Sequence, residues 1–307
     1  MALNYAALLT SALGFLTAAL MVSPPAPRLR EPGDSKPTLP RADFLKVAGA
    51  GLHNFVADYF WILTIQQTGG ATTERDYRDI YYFADLVTDI DPKFRAVYRS
   101  AAVIIPFNLG RETWVNTKES SDITRKGLKA YPDDAQLNLL LAHNLIFYDR
   151  DYTAAADVMT HLSKLPDARP HWAQLATRLY AASGEFETSM ALAQTMADNA
   201  TDEESREFYT RRMKEIVLEK ILQDLEMQAM RYQQQFARLP KSVEELVVAG
   251  FLSAIPEDPL GGQIFLDDIG RGRSTAMKYR LEVIDERIKN EREEVVDKPK
   301  RDLHPHE

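Results

Sequence analysis

A shift of 34 residues lays one part of this chain on another. Pro132 falls on Pro166, Ala142 on Ala176, Leu145 on Leu179, Ile146 on Tyr180, Tyr152 on Phe186 and Leu162 on Met196. In each copy an apolar helix (Leu137 to Tyr148, then Trp172 to Ala182) meets a polar turn, Asp149-Arg150-Asp151 or Ser183-Gly184-Glu185, and a second helix opens on Tyr152 or Phe186. A helix pair this short cannot bury its apolar face alone, so copies are expected to stack and each to become the next one's core.

These residues resemble a tetratricopeptide repeat. The resemblance lies in the aromatic after the turn, in Ala155 at the small crossing position, in Tyr180 late in the first helix, and in Pro132 and Pro166 closing the units. Leu139 and Ala173 depart from the usual Trp, His143 and Thr177 from the first-helix Gly, and Ser189 from the Ala. The resemblance implies an all-α solenoid of helical hairpins whose concave groove, lined by first helices, takes an extended segment or a helix from a protein partner. Mapped onto this chain, the lining positions are Asn138, His143, Asn144, Tyr148, Gln174, Thr177, Arg178 and Ala181. Asn144 and Arg178, one period apart, are expected side by side. The alternatives are an irregular helical bundle, and ordinary solvent-facing polar residues at these positions.

A net charge of −8 without a sustained Lys/Arg stripe excludes a nucleic-acid binder, which needs phosphate neutralisation. With no cysteine there is no disulfide, thiolate metal site or cysteine nucleophile. The six histidines show no HExxH spacing, and His304 and His306 read as incidental. GxSxG and Walker motifs are missing, and Gly261-Gly262 and Gly270-Arg271-Gly272 lack the strand-to-helix context of a phosphate cradle. Carboxylate pairs such as Asp89 with Asp91, or Asp133 with Asp134, arise freely among 45 acids. No catalytic residue, cofactor or metal site is therefore assigned, and the chain reads as a non-enzyme.

Residues 1–22 read as a transmembrane anchor, because Ala2 to Val22 carry no charge and as a helix would span about 30 Å. A cleaved signal peptide would want a basic leader and an A-x-A site, and a buried core helix would want a polar face. Residues 23–41, with six prolines, read as an extended linker reaching up to about 50 Å. Residues 42–200 read as the helical-repeat domain of roughly three to four units. Its helices are expected from Ala42 to Gly69-Gly70, from Asp76 to Ile90, from Phe94 to Phe107 and from Arg111 to Ala130, ahead of the clear copies. Within the first, Tyr59-Phe60-Trp61 reads as core. Residues 201–237 read as a capping helix with the apolar stripe Phe208, Met213, Ile216, Val217, Ile221, Leu225 and Met230.

In residues 238–279, Ser242 and Glu245 form a capping box, Gly250 stops the short helix, and an Asp-Pro-Leu-Gly-Gly turn leads to a strand at Gln263 to Leu266 with a return from Ser274. This order of a helix, an LxxLxxxGxL run, a DPxGxxY turn and a DxxG loop is similar to the end of type II secretion pseudopilins. That resemblance implies calcium at Asp258, Asp267 and Asp268; the residues alone read as turn formers. Residues 280–307 read as a charged, largely disordered tail, with an arm that folds on a partner as the alternative.

The whole chain is similar to bacterial envelope repeat proteins, through Ala57-Asp58-Tyr59-Phe60-Trp61, the Asp85 to Pro92 element, the repeats and the Asp-Pro-Leu-Gly-Gly ending. The resemblance implies an inner-membrane anchor and a periplasmic body. Arg28 and Arg30 after the anchor favour the cytoplasmic face instead. The expected function is a membrane-anchored adaptor that binds protein partners and supports assembly of a pilus, secretion system or other membrane complex, within a hetero-oligomer. Its rival is a structural accessory subunit of a membrane enzyme complex, whose anchor packs through Ala6, Ala7, Ser11, Ala12, Gly14, Ala18 and Ala19. A third reading, an enzyme with the repeats as substrate arm, lacks a catalytic constellation.

Overall fold

The computed structural model describes residues 36–110 and 113–282. The expected anchor, the linker up to residue 35 and the tail from 283 onward lie outside the described residues. Among the described residues, no helix is long and apolar enough to cross a membrane. The described chain is mostly helical and divides into two compact units, one ending at Asp149 and the other beginning at Arg150.

The first unit contains α1 (Ala42–Ala48), α2 (His53–Gly70), α3 (Glu74–Ile90), α4 (Arg95–Ile104), a two-stranded ribbon of β1 (Phe107–Asn108) and β2 (Trp114–Val115), α5 (Thr117–Ala130) and α6 (Ala135–Asn144). A π-helical turn, Leu145–Asp149, ends it. The helix expected from Ala42 is two helices, because Ala50 and Gly51 adopt left-handed backbone at φ 46° and 91°. Thr73 and Asp76 form a reciprocal capping box at the start of α3. The helix expected from Arg111 begins only at Thr117. Before it, Phe107 pairs with Val115 and Asn108 with Trp114, and Asn116 turns the chain at φ 60° while its amide donates to the Glu74 carbonyl at 2.8 Å. The core is Ile80, Val87, Ile90, Val97, Tyr98, Ile105, Ile123 and Leu137, with Phe60 buried and Tyr59 and Trp61 half-buried against it. A Cβ on Gly127 would stand 2.8 Å from the Tyr98 ring, so α4 and α5 approach through glycine.

The second unit contains α7 (Tyr152–Ser163), α8 (Pro170–Ala182), α9 (Phe186–Asp198), the long α10 (Glu203–Phe236), the short α11 (Val243–Val248), and a hairpin of β3 (Ile264–Leu266) and β4 (Gly272–Ser274). Helix α8 packs on both α7 and α9, and α9 packs along α10. Asp202 caps α10 by accepting from the Ser205 N–H at 2.7 Å. The stripe that α10 buries is Tyr209, Ile216, Leu218, Leu222, Leu225, Ala229 and Tyr232. Of the expected stripe only Ile216 and Leu225 are fully buried, and Val217 and Met230 are exposed. The reason is that α10 serves two cores: Tyr209 and Ile216 join α8 and α9, whereas Leu225 and Tyr232 join α11 and its flanks. The expected capping box at Ser242 does not form. The Glu245 carboxylate instead accepts from the Tyr232 hydroxyl at 2.8 Å, the Arg238 guanidinium at 2.5 Å and the Lys241 N–H at 2.7 Å.

The repeat period has a structural counterpart. Ala142 and Ala176, Leu145 and Leu179, and Ile146 and Tyr180 are buried in both copies. Arg150 and Gly184, also one period apart, both take left-handed backbone, at φ 56° and 83°. The copies differ in that the division between the units falls within the turn of the first, whereas the second, α8 with α9, lies inside one unit.

Candidate functional site

Four of the eight expected groove residues are interior fasteners. Asn138 donates to the carbonyls of Pro132 at 2.8 Å and Asp134 at 3.0 Å, closing the start of α6. Asn144 donates to the hydroxyls of Ser120 at 2.9 Å and Ser121 at 3.2 Å, tying α6 to α5. Thr177 donates to the Gln174 carbonyl at 2.8 Å, and its own carbonyl accepts from Ser189 at 2.7 Å. Ala181 is fully buried and its carbonyl accepts from Gln223 at 3.2 Å. Polar groups buried in this way are hydrogen-bonded because leaving them unpaired costs more than the bond contributes. Gln174 is half-buried beside them. Arg178, also half-buried, donates to the carbonyls of Leu281 at 3.2 Å and Glu282.

The other two, His143 and Tyr148, come together at the end of α6. Their rings meet edge to face at 5.6 Å, Phe147 lies 4.6 Å from His143, and Trp114 lies 5.6 Å from Tyr148. Trp114 is 42% exposed and Phe147 49% exposed, so the cluster faces solvent. Two local devices build it. The ribbon and the left-handed Asn116 deliver Trp114, and the π-helical turn adds a residue per turn, carrying Phe147 and Tyr148 round the helix. Burial lowers the pKa of His143 and raises that of Tyr148, so both are neutral near pH 7. Neutral aromatic side chains with one polar handle suit the desolvated centre of a protein interface. Trp114 and Phe147 were missed by sequence reasoning. Their trace in the sequence is that each is a large aromatic beside a polar run, Trp114 after Arg111-Glu112-Thr113 and Phe147 before Asp149-Arg150-Asp151.

The acids of the C-terminal unit are committed to its turns. Asp258 accepts from the Leu260 N–H at 2.7 Å and from the Ser274 hydroxyl. Asp267 accepts from Ile269 N–H at 3.2 Å, Arg271 N–H at 2.9 Å and Arg273 Nε at 3.1 Å. Burial would raise the Asp267 pKa, but these donors outweigh it and hold the carboxyl below its usual range. Among the described residues no group of three or more His, Cys, Asp or Glu is placed to hold a metal ion. The hydrogen bonds that Asp258 and Asp267 accept from backbone N–H groups lie within the turns themselves, and Asp268 is exposed.

No family model, curated protein or solved structure matches the chain.

Proposed function

We propose that the chain is a non-catalytic adaptor, anchored in the inner membrane by residues 2–22, whose body of tetratricopeptide-like helical hairpins binds another protein on the periplasmic side and supports assembly of an envelope complex. The observation that carries this reading is the solvent-facing cluster of Trp114, His143, Phe147 and Tyr148, since Trp and Tyr dominate the energetic centres of protein interfaces. Matched burial at positions 34 residues apart supports the repeat.

The test is purification of the full chain in mild detergent, with mass spectrometry of what accompanies it. Envelope-assembly components are expected, and Trp114→Ala with Phe147→Ala should reduce their recovery at least about tenfold, since loss of a hot spot costs about 2 kcal/mol. Both side chains are partly exposed, so the body should melt nearly as before. A stoichiometric enzyme core would support the accessory-subunit reading, and undiminished recovery would move the interface elsewhere. Protease accessibility in spheroplasts reads the topology.

A further inference from the structure

The second unit holds a short non-helical stretch of its own chain in the manner of a bound peptide. Arg280 is 5% exposed and its guanidinium contacts Glu219 at 2.6 Å and 3.2 Å, Glu226, and the Gly272 carbonyl at 3.3 Å. Leu281 is 4% exposed and sits among Ala173, Ala181, Ala193 and Tyr209, while its N–H donates to Glu219 at 3.2 Å. Arg178 on α8 then donates to the carbonyls of Leu281 and Glu282, and Arg271 pairs with the Glu282 carboxylate. Arg280, Leu281 and Glu282 are read by side chain; Arg178 captures main-chain oxygens, which any polypeptide presents.

The contact is also imperfect at its end. One Glu282 carboxylate oxygen is buried with no hydrogen-bond partner among the described residues, and burial raises the pKa of that carboxyl. An unpaired buried oxygen lowers the net gain from docking, which leaves the segment displaceable.

We infer that Arg280–Glu282 is an intramolecular occupant of a peptide-binding surface on α8, α9 and α10, and that a partner's Arg-Leu-acidic segment takes its place. The inference rests on the adaptor reading and adds to it the chemistry of the segment recognised. Glu219 and Glu226 select a guanidinium, the cluster at Ala173, Ala181 and Ala193 selects a Leu-sized apolar side chain, and Arg271 selects a following carboxylate. Self-occupancy keeps the surface closed until a competing segment is at hand.

The probe is a fluorescent peptide spanning residues 278–285, titrated against the full chain in detergent and followed by anisotropy. Leu281→Asp, which expels the internal segment, is expected to bind the peptide about a thousandfold more tightly than the parent, because a surface open about one-thousandth of the time has its apparent affinity reduced by that factor. Adding Arg178→Ala should return binding to the parent level or below. Should Leu281→Asp fail to fold by circular dichroism, Leu281→Ala leaves Arg280 and its carboxylates in place and should give a gain in the same direction. Equal binding to parent and released chain, or binding matched by a scrambled peptide, overturns the proposal. These outcomes are independent of the Trp114 and Phe147 recovery assay, so either reading can fail while the other stands.

Discussion

Asn144 and Arg178 occupy the same position of the repeat, one in each unit, and they do different work. Asn144 makes neutral bonds to Ser120 and Ser121, and those hydroxyls sit in a chain of short-range fasteners: Ser120 to the Ala102 carbonyl at 2.7 Å, Thr124 to the Ser120 carbonyl at 2.7 Å. Arg178 instead reaches a segment 103 residues further on. Small neutral donors allow helices to lie close, as the contact of Gly127 with Tyr98 requires, and they join elements that already touch. Long charged side chains bridge elements remote in sequence, as Arg280 and Glu219 do, at a desolvation cost that makes such pairs better at specifying a docking than at stabilising it.

The largest expected effect tests the charged half of this contrast. Glu219 and Arg280 have side chains 0% and 2% exposed, so Glu219→Ala strands a buried guanidinium and should destabilise the second unit by about 3–5 kcal/mol in chemical denaturation. Replacing the pair together, Glu219→Leu with Arg280→Met, should recover most of that loss. A loss below about 1 kcal/mol for the single change would mean that this unit does not depend on its ion network. The neutral half is probed by Gly127→Ala, whose methyl would also stand 3.0 Å from Leu137. It should destabilise the first unit by about 1–3 kcal/mol, whereas Gly69→Ala, in open space on α2, should not.

What the sequence made legible follows the range of the interactions involved. The helices of the two copies are set by local periodicity and turn chemistry, and they appear where the 34-residue shift places them. The β1–β2 ribbon was not legible, because two-residue strands leave no alternation to read and Trp114 falls inside the helix expected from Arg111. The buried face of α10 was misjudged because one helix serves two cores, a property of the tertiary arrangement. The groove positions follow from the resemblance as positions on first helices, and four of the eight are buried, with partners such as Ser120 and Ser189 supplied by other helices. Arg280 looked like the start of a solvated tail. Its partner Glu219 lies 61 residues earlier, and no local rule pairs them.

A smaller effect concerns the acid sensitivity of the second unit. Hydrogen bonds from Arg238, the Lys241 N–H and Tyr232 hold the Glu245 carboxyl at about 2, below its ordinary value of 4.5. A depressed carboxylate contributes stability that is present above its unfolded pKa and lost as pH falls through the folded one. The melting midpoint of this region should therefore drop between about pH 4.5 and pH 2, and Glu245→Gln should remove that part of the slope while lowering the midpoint at pH 7. An unchanged slope in the variant would assign the acid response to other carboxylates.

The smallest effect bears on whether the two copies are variants of one design. Arg150 and Gly184 stand at the same turn position with left-handed backbone, which a side-chain-bearing residue adopts at a cost of roughly 1–2 kcal/mol and glycine adopts freely. Arg150→Gly relieves that strain but also loosens the unfolded chain, which takes back up to about 1 kcal/mol. A net gain of about 0.5 kcal/mol is expected in denaturant unfolding, because Arg150 is exposed and Asp151, not Arg150, caps α7 by accepting from the Ala154 N–H at 2.9 Å. The converse change, Gly184→Ala, should cost about 1 kcal/mol, with no atom near the new methyl to blame for the loss. Were Arg150→Gly to destabilise instead, the arginine side chain would be holding the turn in a way that the glycine of the second copy does not. The equivalence of the two turns would then be one of shape alone.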